Sequence, residues 1–365
     1  MALSFGEVVA SGAIGAGIAA AFGFVRDRRL LDTTLRFQHR HEERNKLREL
    51  QSRYKGRVLE AALDSDRRMS QLYEGAYRWL DPPDTQRNDE AEYSYHSVIF
   101  RFLQLTAIAR RFEAEAFYID LGIAQRGDFD LLRYAKAFLW VMIHAQLSPD
   151  DGQPGIDHFR SDAFRPLLDF AYGTPEPDDA KLLPETRSRE GELIFDLQRY
   201  LAMRRHAEAL GRQSEMDELL AFFDGVRPDD YEVSGDRAGR QRRRWDRLVT
   251  LHLFVLAFID DCGYVWHSDY VQEQTERAVQ MLLYPETLAA ELEVWLPRLG
   301  LDREDEFQRI RARIDETAAE TSRRLEEPDE RARRVYRQVQ QNLADRRLAP
   351  FEMFQAPPEK VHTGT

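Results

Sequence analysis

The stretch VVASGAIGAGIAAAFGFV at residues 8–25 holds eighteen consecutive uncharged residues and is followed at once by RDRR. As an α-helix it would be roughly 27 Å long, close to the thickness of the hydrocarbon core of a bilayer. We therefore predict that residues 1–25 form a single transmembrane anchor. The residues predicted to contact lipid are Val8, Val9, Ile14, Ile18, Phe22, Phe24 and Val25.

Near this span, basic side chains occur only on its C-terminal side. Arg26, Arg28 and Arg29 follow it directly, whereas Glu7 is the only charged side chain before it. Because basic residues stay on the cytoplasmic side and attract anionic lipid headgroups, these arginines predict a cytoplasmic body and an N-terminus outside. The chain contains 47 arginines and five lysines, a ratio typical of GC-rich bacterial genomes. The predicted location is thus a bacterial inner membrane, with anionic lipid headgroups as partners.

Two other interpretations of residues 8–25 remain open. A cleaved signal peptide needs a positively charged segment before its apolar core, and the N-terminal MALSFGE has none. A Gly/Ala-rich helix buried in a soluble fold is the second alternative, because the stretch is only weakly apolar. Small residues also recur four apart in the span, at Gly12 and Ala16 and at Gly15 and Ala19, which favours close helix packing and a homo-oligomer.

The rest of the chain combines a basic segment with an acidic one. Residues 26–57 hold eleven Lys or Arg against five Asp or Glu, although the whole chain has a net charge of −12. An acidic body predicts that nucleic acid is not a partner. With 43% apolar and 32% charged residues the chain is expected to fold. Cys262 is the only cysteine, which excludes an internal disulfide and a cysteine-based zinc site.

Residues 26–80 are predicted to form a basic juxtamembrane helix, since no strong helix breaker occurs before the Asp-Pro-Pro at 81–83. Apolar and small residues recur within it every eleven positions, which corresponds to about 3.67 residues per turn. The pattern fits either a self-associating stalk or the buried face of the body's first helix. Its members are Leu47, Leu50, Tyr54, Val58, Ala61, Ser65, Met69, Leu72 and Ala76.

Beyond this helix the chain alternates between helical patterns and polar loops. No segment shows the alternation of a strand, so the predicted fold is all-α: the transmembrane helix followed by a roughly ten-helix cytoplasmic array without a sheet. We place a first helical lobe at residues 81–160, a second at 161–347 and a disordered tail at 348–365. Helices are predicted at about 92–121, 128–147, 166–172, 188–210, 214–224, 237–262, 268–283, 285–296, 302–326 and 329–347.

The end of the predicted helix 237–262 and the turn after it concentrate histidine and aspartate. His252 and Asp260 lie eight positions apart on one face, about 12 Å along the axis, which is too far for both to bind one metal directly. Residues after Gly263 could fold back toward Asp260, and such a cluster could hold a divalent metal or act as an acid–base pair. The candidate set is His252, Asp260, Asp261, His267 and Asp269.

The same residues also fit a purely structural interpretation, in which the aspartates end a buried helix and pair with arginines. A cluster of five arginines between positions 240 and 247 has two interpretations as well. In the first interpretation, the cluster contacts an anionic lipid or a phosphorylated ligand. In the second, it forms salt bridges with the preceding acidic loop.

The body contains no GxxxxGK[ST], GxGxxG, GxSxG or HExxH motif, so neither a cofactor nor a metal is predicted. Enzymatic activity is not favoured. The predicted function is that of a membrane-anchored all-helical scaffold, adaptor or effector regulator, which acts through protein–protein contacts with an unknown protein partner. The alternative is a membrane-tethered metal-dependent hydrolase that uses the cluster of His252, Asp260, Asp261 and His267.

Overall fold

A computed structural model of the chain describes a fold built from helices. The described backbone comprises residues 5–74, 80, 89–117, 130–145, 158–174, 176–185, 187, 193–226, 236–261, 268–302 and 305–324. Side chains within it are described from residue 38 onward, except at 40, 89–91, 236–242, 268, 306 and 320–324. Over these residues there are ten α-helices, a short 3₁₀ helix and no strand, which confirms the prediction of an all-α fold.

The helices follow one another along the chain with short described connections between several of them. They are α1 (Phe5–Tyr73), α2 (Asp89–Ala116), α3 (Asp130–Ile143), α4 (Ser161–Ala171), the 3₁₀ helix (Asp179–Lys181), α5 (Leu197–Arg205), α6 (Gln213–Phe223), α7 (Asp236–Asp261), α8 (Ser268–Gln280), α9 (Pro285–Leu299) and α10 (Asp305–Arg324). The predicted helix 329–347 and the predicted tail 348–365 lie outside the described residues.

The C-terminal half of α1 packs one face against the body, as its eleven-residue pattern predicts. Every member of the pattern from Leu47 to Leu72 is buried, and the helix contacts α2 and α7. Ala76 lies outside the described residues. The interpretation of this pattern as the buried face of the body's first helix is therefore confirmed, because the chain itself covers the face that a stalk would use for self-association.

No helix, over the residues whose side chains are described, has a stretch long and apolar enough to cross a membrane. The predicted anchor residues from Val8 to Val25 lie outside that set, in the N-terminal part of α1. The predicted headgroup contacts Arg26, Arg28 and Arg29 lie outside it as well. The anchor, its orientation and its association into a homo-oligomer therefore stay predictions.

Helices α3 and α7 lie at the centre of the buried core. Trp140 of α3 is 1% exposed, and its ring centroid lies 6.1 Å from that of Phe254 in α7 and 5.1 Å from that of Trp295 in α9. A single cluster of buried residues extends from Leu50 in α1 to Ile314 in α10. The core is thus continuous across the predicted boundary between residues 160 and 161, and the division into two lobes stays a prediction.

Helix α5 is shorter than the predicted helix 188–210. The carboxylate of Asp196 accepts the backbone N–H of Arg199 at 2.8 Å, which starts the helix at Leu197 as an N-cap does. Before it, Arg187 and Leu193 form an isolated antiparallel bridge. The extended backbone of this bridge is incompatible with a helix that begins at residue 188.

Candidate functional site

His252, the first of the predicted candidates, lies in the middle of α7 and is 1% exposed. The surrounding turns of α7 are apolar, so a polar ring here needs hydrogen-bond partners. Its Nε2 lies 3.0 Å from Oδ1 of Asp66, and its Nδ1 lies 2.9 Å from the hydroxyl oxygen of Tyr73. Both partners belong to α1, so the imidazole ring joins α7 to α1.

Asp66 is equally buried and uses both of its carboxylate oxygens. Its Oδ2 accepts a hydrogen bond of 2.8 Å from the hydroxyl of Tyr270 in α8. The chain of hydrogen bonds Tyr73–His252–Asp66–Tyr270, called the buried network below, therefore connects α1, α7 and α8. Four side chains thus hold α1 in register with the two consecutive helices α7 and α8.

The buried network is fully satisfied when His252 is neutral. Nε2–H then donates to Asp66, and Nδ1 accepts the Tyr73 hydroxyl. Burial, reinforced by the charge of Asp66, raises the pKa of Tyr73 well above its usual value, so this hydroxyl remains a donor. The same two causes raise the pKa of Tyr270 to about 12. Because every polar group has a complementary partner, the arrangement fits a structural element better than a reactive acid–base pair.

Replacing Asp66 with Asn tests this interpretation. The amide retains one acceptor oxygen for Nε2–H of His252 and presents an N–H donor toward the Tyr270 hydroxyl, but it lacks the negative charge that strengthens both hydrogen bonds. We expect Asp66→Asn to lower the free energy of unfolding by about 1.5–3 kcal/mol, as the loss of hydrogen bonds to a charged group does. Urea denaturation of the purified chain measures the change.

Asp64, two residues before Asp66 on α1, provides the matched control. Its carboxylate is partly exposed and pairs with Arg67 at 3.5 Å and with Arg101. Asp64→Asn removes the same charge from a surface ion pair, so a loss of less than about 1 kcal/mol is expected. If the two substitutions proved equally mild, the buried network would not hold the three helices together.

Asp260, the second candidate, points to a different neighbour. Its Oδ2 accepts a hydrogen bond of 2.5 Å from Nη2 of Arg309 in α10. Both residues line a cavity of about 310 Å³ between α7, α8 and α10. Val271 and Ile310 are apolar members of its lining, which also includes Arg313 and Glu276, an ion pair of 3.0 Å. An arginine partner for Asp260 is what the structural interpretation of the aspartates predicts.

The other candidates do not join His252 in the described part of the chain. Asp261 and Asp269 are exposed, at the end of α7 and the start of α8. His267 lies outside the described residues. Among the residues that the structure describes, no group of three or more His, Cys, Asp or Glu side chains is placed to hold a metal ion. His252 is hydrogen-bonded to α1 and Asp260 to α10, so the described geometry does not bring these two together.

The arginine cluster near the start of α7 contributes a core residue. Arg247 is fully buried and donates to the backbone carbonyls of Val141 and, at 2.7 Å, Ala145. These carbonyls lie at the C-terminal end of α3, where helical carbonyl groups lack intrahelical partners and a cation is favourable. Arg244 donates to the carbonyl of Ala221 at 2.5 Å. These two arginines therefore join α7 to other helices.

Asp246 is a second buried carboxylate that the sequence does not reveal. It is 2% exposed and accepts the backbone N–H groups of Leu283 and Tyr284, both at 2.8 Å, just before α9 begins. The neighbouring Trp245 donates from Nε1 to the carbonyl of Met281 at 2.9 Å. Burial raises the pKa of Asp246 to about 8, although the two backbone donors act in the opposite direction.

No protein-family model matches the chain, and neither the curated proteins nor the solved structures contain a significantly similar sequence or fold.

Proposed function

We propose that this chain is a membrane-anchored, all-helical protein of a bacterial inner membrane, acting as a scaffold, adaptor or effector regulator through protein–protein contacts. Its N-terminus lies outside and its body in the cytoplasm. The observation that carries the proposal is the continuity of α1, which runs as one helix from Phe5 to Tyr73. The same helix contains the eighteen uncharged residues and supplies a buried face to the core of the body.

This continuity gives the anchor a mechanical role. The segment from Arg26 to Tyr73 is about 70 Å long at 1.5 Å per residue, so a rigid helix connects the proposed span to the body. The buried network and the contacts with α2 fix the far end of α1 within the body. A partner that binds the body is thereby held at a defined distance from the bilayer.

The orientation of the chain provides the test. A reporter enzyme fused after Thr365 is expected to be active on the cytoplasmic side, because the basic residues follow the span. Replacing Arg26, Arg28 and Arg29 with Ala should produce a mixture of orientations. The matched control replaces Arg40, Arg44 and Arg48 of the same helix, more than a dozen residues further from the span, and should leave the orientation unchanged. A reporter that is active only outside contradicts the proposed topology.

The metal-dependent hydrolase keeps one observation in its favour, the cavity of about 310 Å³ that Asp260 lines. In that function Asp260 would be joined by Asp261 and His267, whereas His252, the fourth member of the predicted cluster, is hydrogen-bonded to Asp66 and Tyr73 instead. Metal analysis of the purified chain discriminates the two functions. A stoichiometric divalent metal that is lost in Asp260→Asn would favour the hydrolase, whereas retention of any metal in that variant would not.

A further inference from the structure

The cavity between α7, α8 and α10, called the α8 cavity below, is apolar at its most buried lining residues. Ala257 of α7, Val271 of α8 and Ile310 of α10 line it, and each is at most 5% exposed. Their side chains offer water no hydrogen-bond partner, whereas a firmly held water molecule needs at least two. An apolar molecule that replaces water against these three residues therefore gains free energy.

Small residues on α7 and α10 leave the space that forms this cavity. Ala257 lies between Phe254 and Phe258 on α7, and both phenylalanine rings contact aromatic residues of α3 instead. Helix α10 contributes Ala312 to the lining. Neither alanine can fill the volume of about 310 Å³ that the three helices enclose.

The position of α8, which forms one wall of the cavity, is fixed from the other side by α1. Three hydrogen bonds join the two helices at intervals of about one turn: Tyr270 to Asp66 at 2.8 Å, Ser70 to Gln274 at 3.0 Å, and Arg277 to Glu74 at 3.3 Å. Because these bonds hold α8 on α1, the wall is in place before a ligand enters. A largely pre-formed cavity is typical of small-molecule sites.

The charged side chains of the lining pair with one another. Asp260 of α7 pairs with Arg309 of α10, and Arg313 of α10 pairs with Glu276 of α8 and with Glu316, both at 3.0 Å. A ligand with a full charge would have to compete with one of these pairs. An uncharged ligand leaves all three in place.

We infer that the α8 cavity binds a small, uncharged and largely apolar organic molecule. An apolar cavity of about 150 Å³ binds benzene, so the volume of about 310 Å³ suits a molecule with two fused rings. The hydroxyl of Thr275 and the amide of Gln272 also belong to the lining and can contact one polar group of the ligand. The inference goes beyond the proposed function and does not depend on the membrane anchor.

Calorimetric titration of the full chain in detergent with indole tests the site. Saturable binding is expected, in contrast to the linear partition of indole into micelles. Ala312→Leu and Thr275→Leu place a larger side chain in the cavity from α10 and from α8, and each should weaken the affinity about tenfold or more. Neither position is fully buried, so both variants should fold, which far-UV circular dichroism checks.

Ala319→Leu is the matched control. It makes the same change at an exposed position of α10 outside the cavity and should alter the affinity less than about twofold. Binding should also persist in EDTA. The inference is overturned by absence of saturable binding, by undiminished affinity in both cavity variants, by an equal loss in the control, or by loss of binding in EDTA, which would assign the cavity to a metal. Because the titration needs no membrane, its failure is distinguishable from failure of the proposed topology.

Discussion

The stability of the body is expected to fall as the pH rises from about 5 to 8, relative to a variant in which Asp246 is replaced by Asn. The two backbone N–H groups that this carboxylate accepts hold the segment before α9 against the start of α7. The difference in free energy of unfolding between the two proteins should change by about 4 kcal/mol over this range. Urea denaturation at a series of pH values measures it.

The sign follows from the direction of the pKa shift. Burial raises the pKa of Asp246 from its ordinary value of 3.8 to about 8 in the folded protein. Between these values the folded protein holds a proton that the unfolded chain has released. Raising the pH across this window therefore favours unfolding, by up to about 1.4 kcal/mol per pH unit, and the effect levels off above the folded value.

Asp246→Asn should lack this pH dependence, because the amide does not titrate. The amide oxygen accepts only one of the two backbone N–H groups, so the stability of the variant differs from that of the unchanged protein by about 1–3 kcal/mol at the acid end of the range, and this difference then changes as the pH rises. Asp178→Asn is the control, because that side chain is 96% exposed, and its profile should run parallel to that of the unchanged protein. If the Asp246→Asn profile also ran parallel, Asp246 would be ionised in the folded protein across the whole range.

Much of the helical fold can be predicted from the sequence, because a helix is recognisable from the pattern of apolar residues within its own segment. The eleven-residue pattern of α1 identifies its buried face, and the continuous apolar run 137–143 identifies α3 as a core helix. The start of α5 could not be predicted in this way. It depends on the capping by Asp196 and on the pairing of Arg187 with Leu193, which are contacts that a periodicity does not contain.

The candidate site shows why residue spacing along one helix is insufficient to predict which side chains contact each other. His252 stands out in the sequence as a polar residue within an apolar helix, but its partners Asp66 and Tyr73 lie on α1, more than 170 positions away. The position of Asp66 directly after Ser65, a member of the buried pattern, is no signal by itself, because Lys55 directly follows Tyr54 of the same pattern and is exposed.

Among the substitutions considered, those that disrupt the proposed span are expected to have the largest effect, which is the loss of membrane insertion. Replacing Ile14 and Ile18 with Arg places two charges near the centre of the eighteen uncharged residues. Each costs about 2.5–3.5 kcal/mol at the centre of a membrane helix, so insertion should become roughly 10⁴-fold less favourable. The variant should appear in the soluble fraction, with its body folded, because the buried apolar face of α1 that the structure describes, from Leu47 to Leu72, lies far from both substitutions.

The control variant adds the same two charges to the same helix outside the span, as Gln38→Arg and Asn45→Arg. Both side chains are exposed, so this variant should remain with the membrane. Extraction of membranes with alkaline carbonate tests the anchor most directly. The account predicts that the unchanged chain and the control variant stay in the pellet while the Ile14→Arg, Ile18→Arg variant does not. Release of the unchanged chain into the supernatant would contradict it.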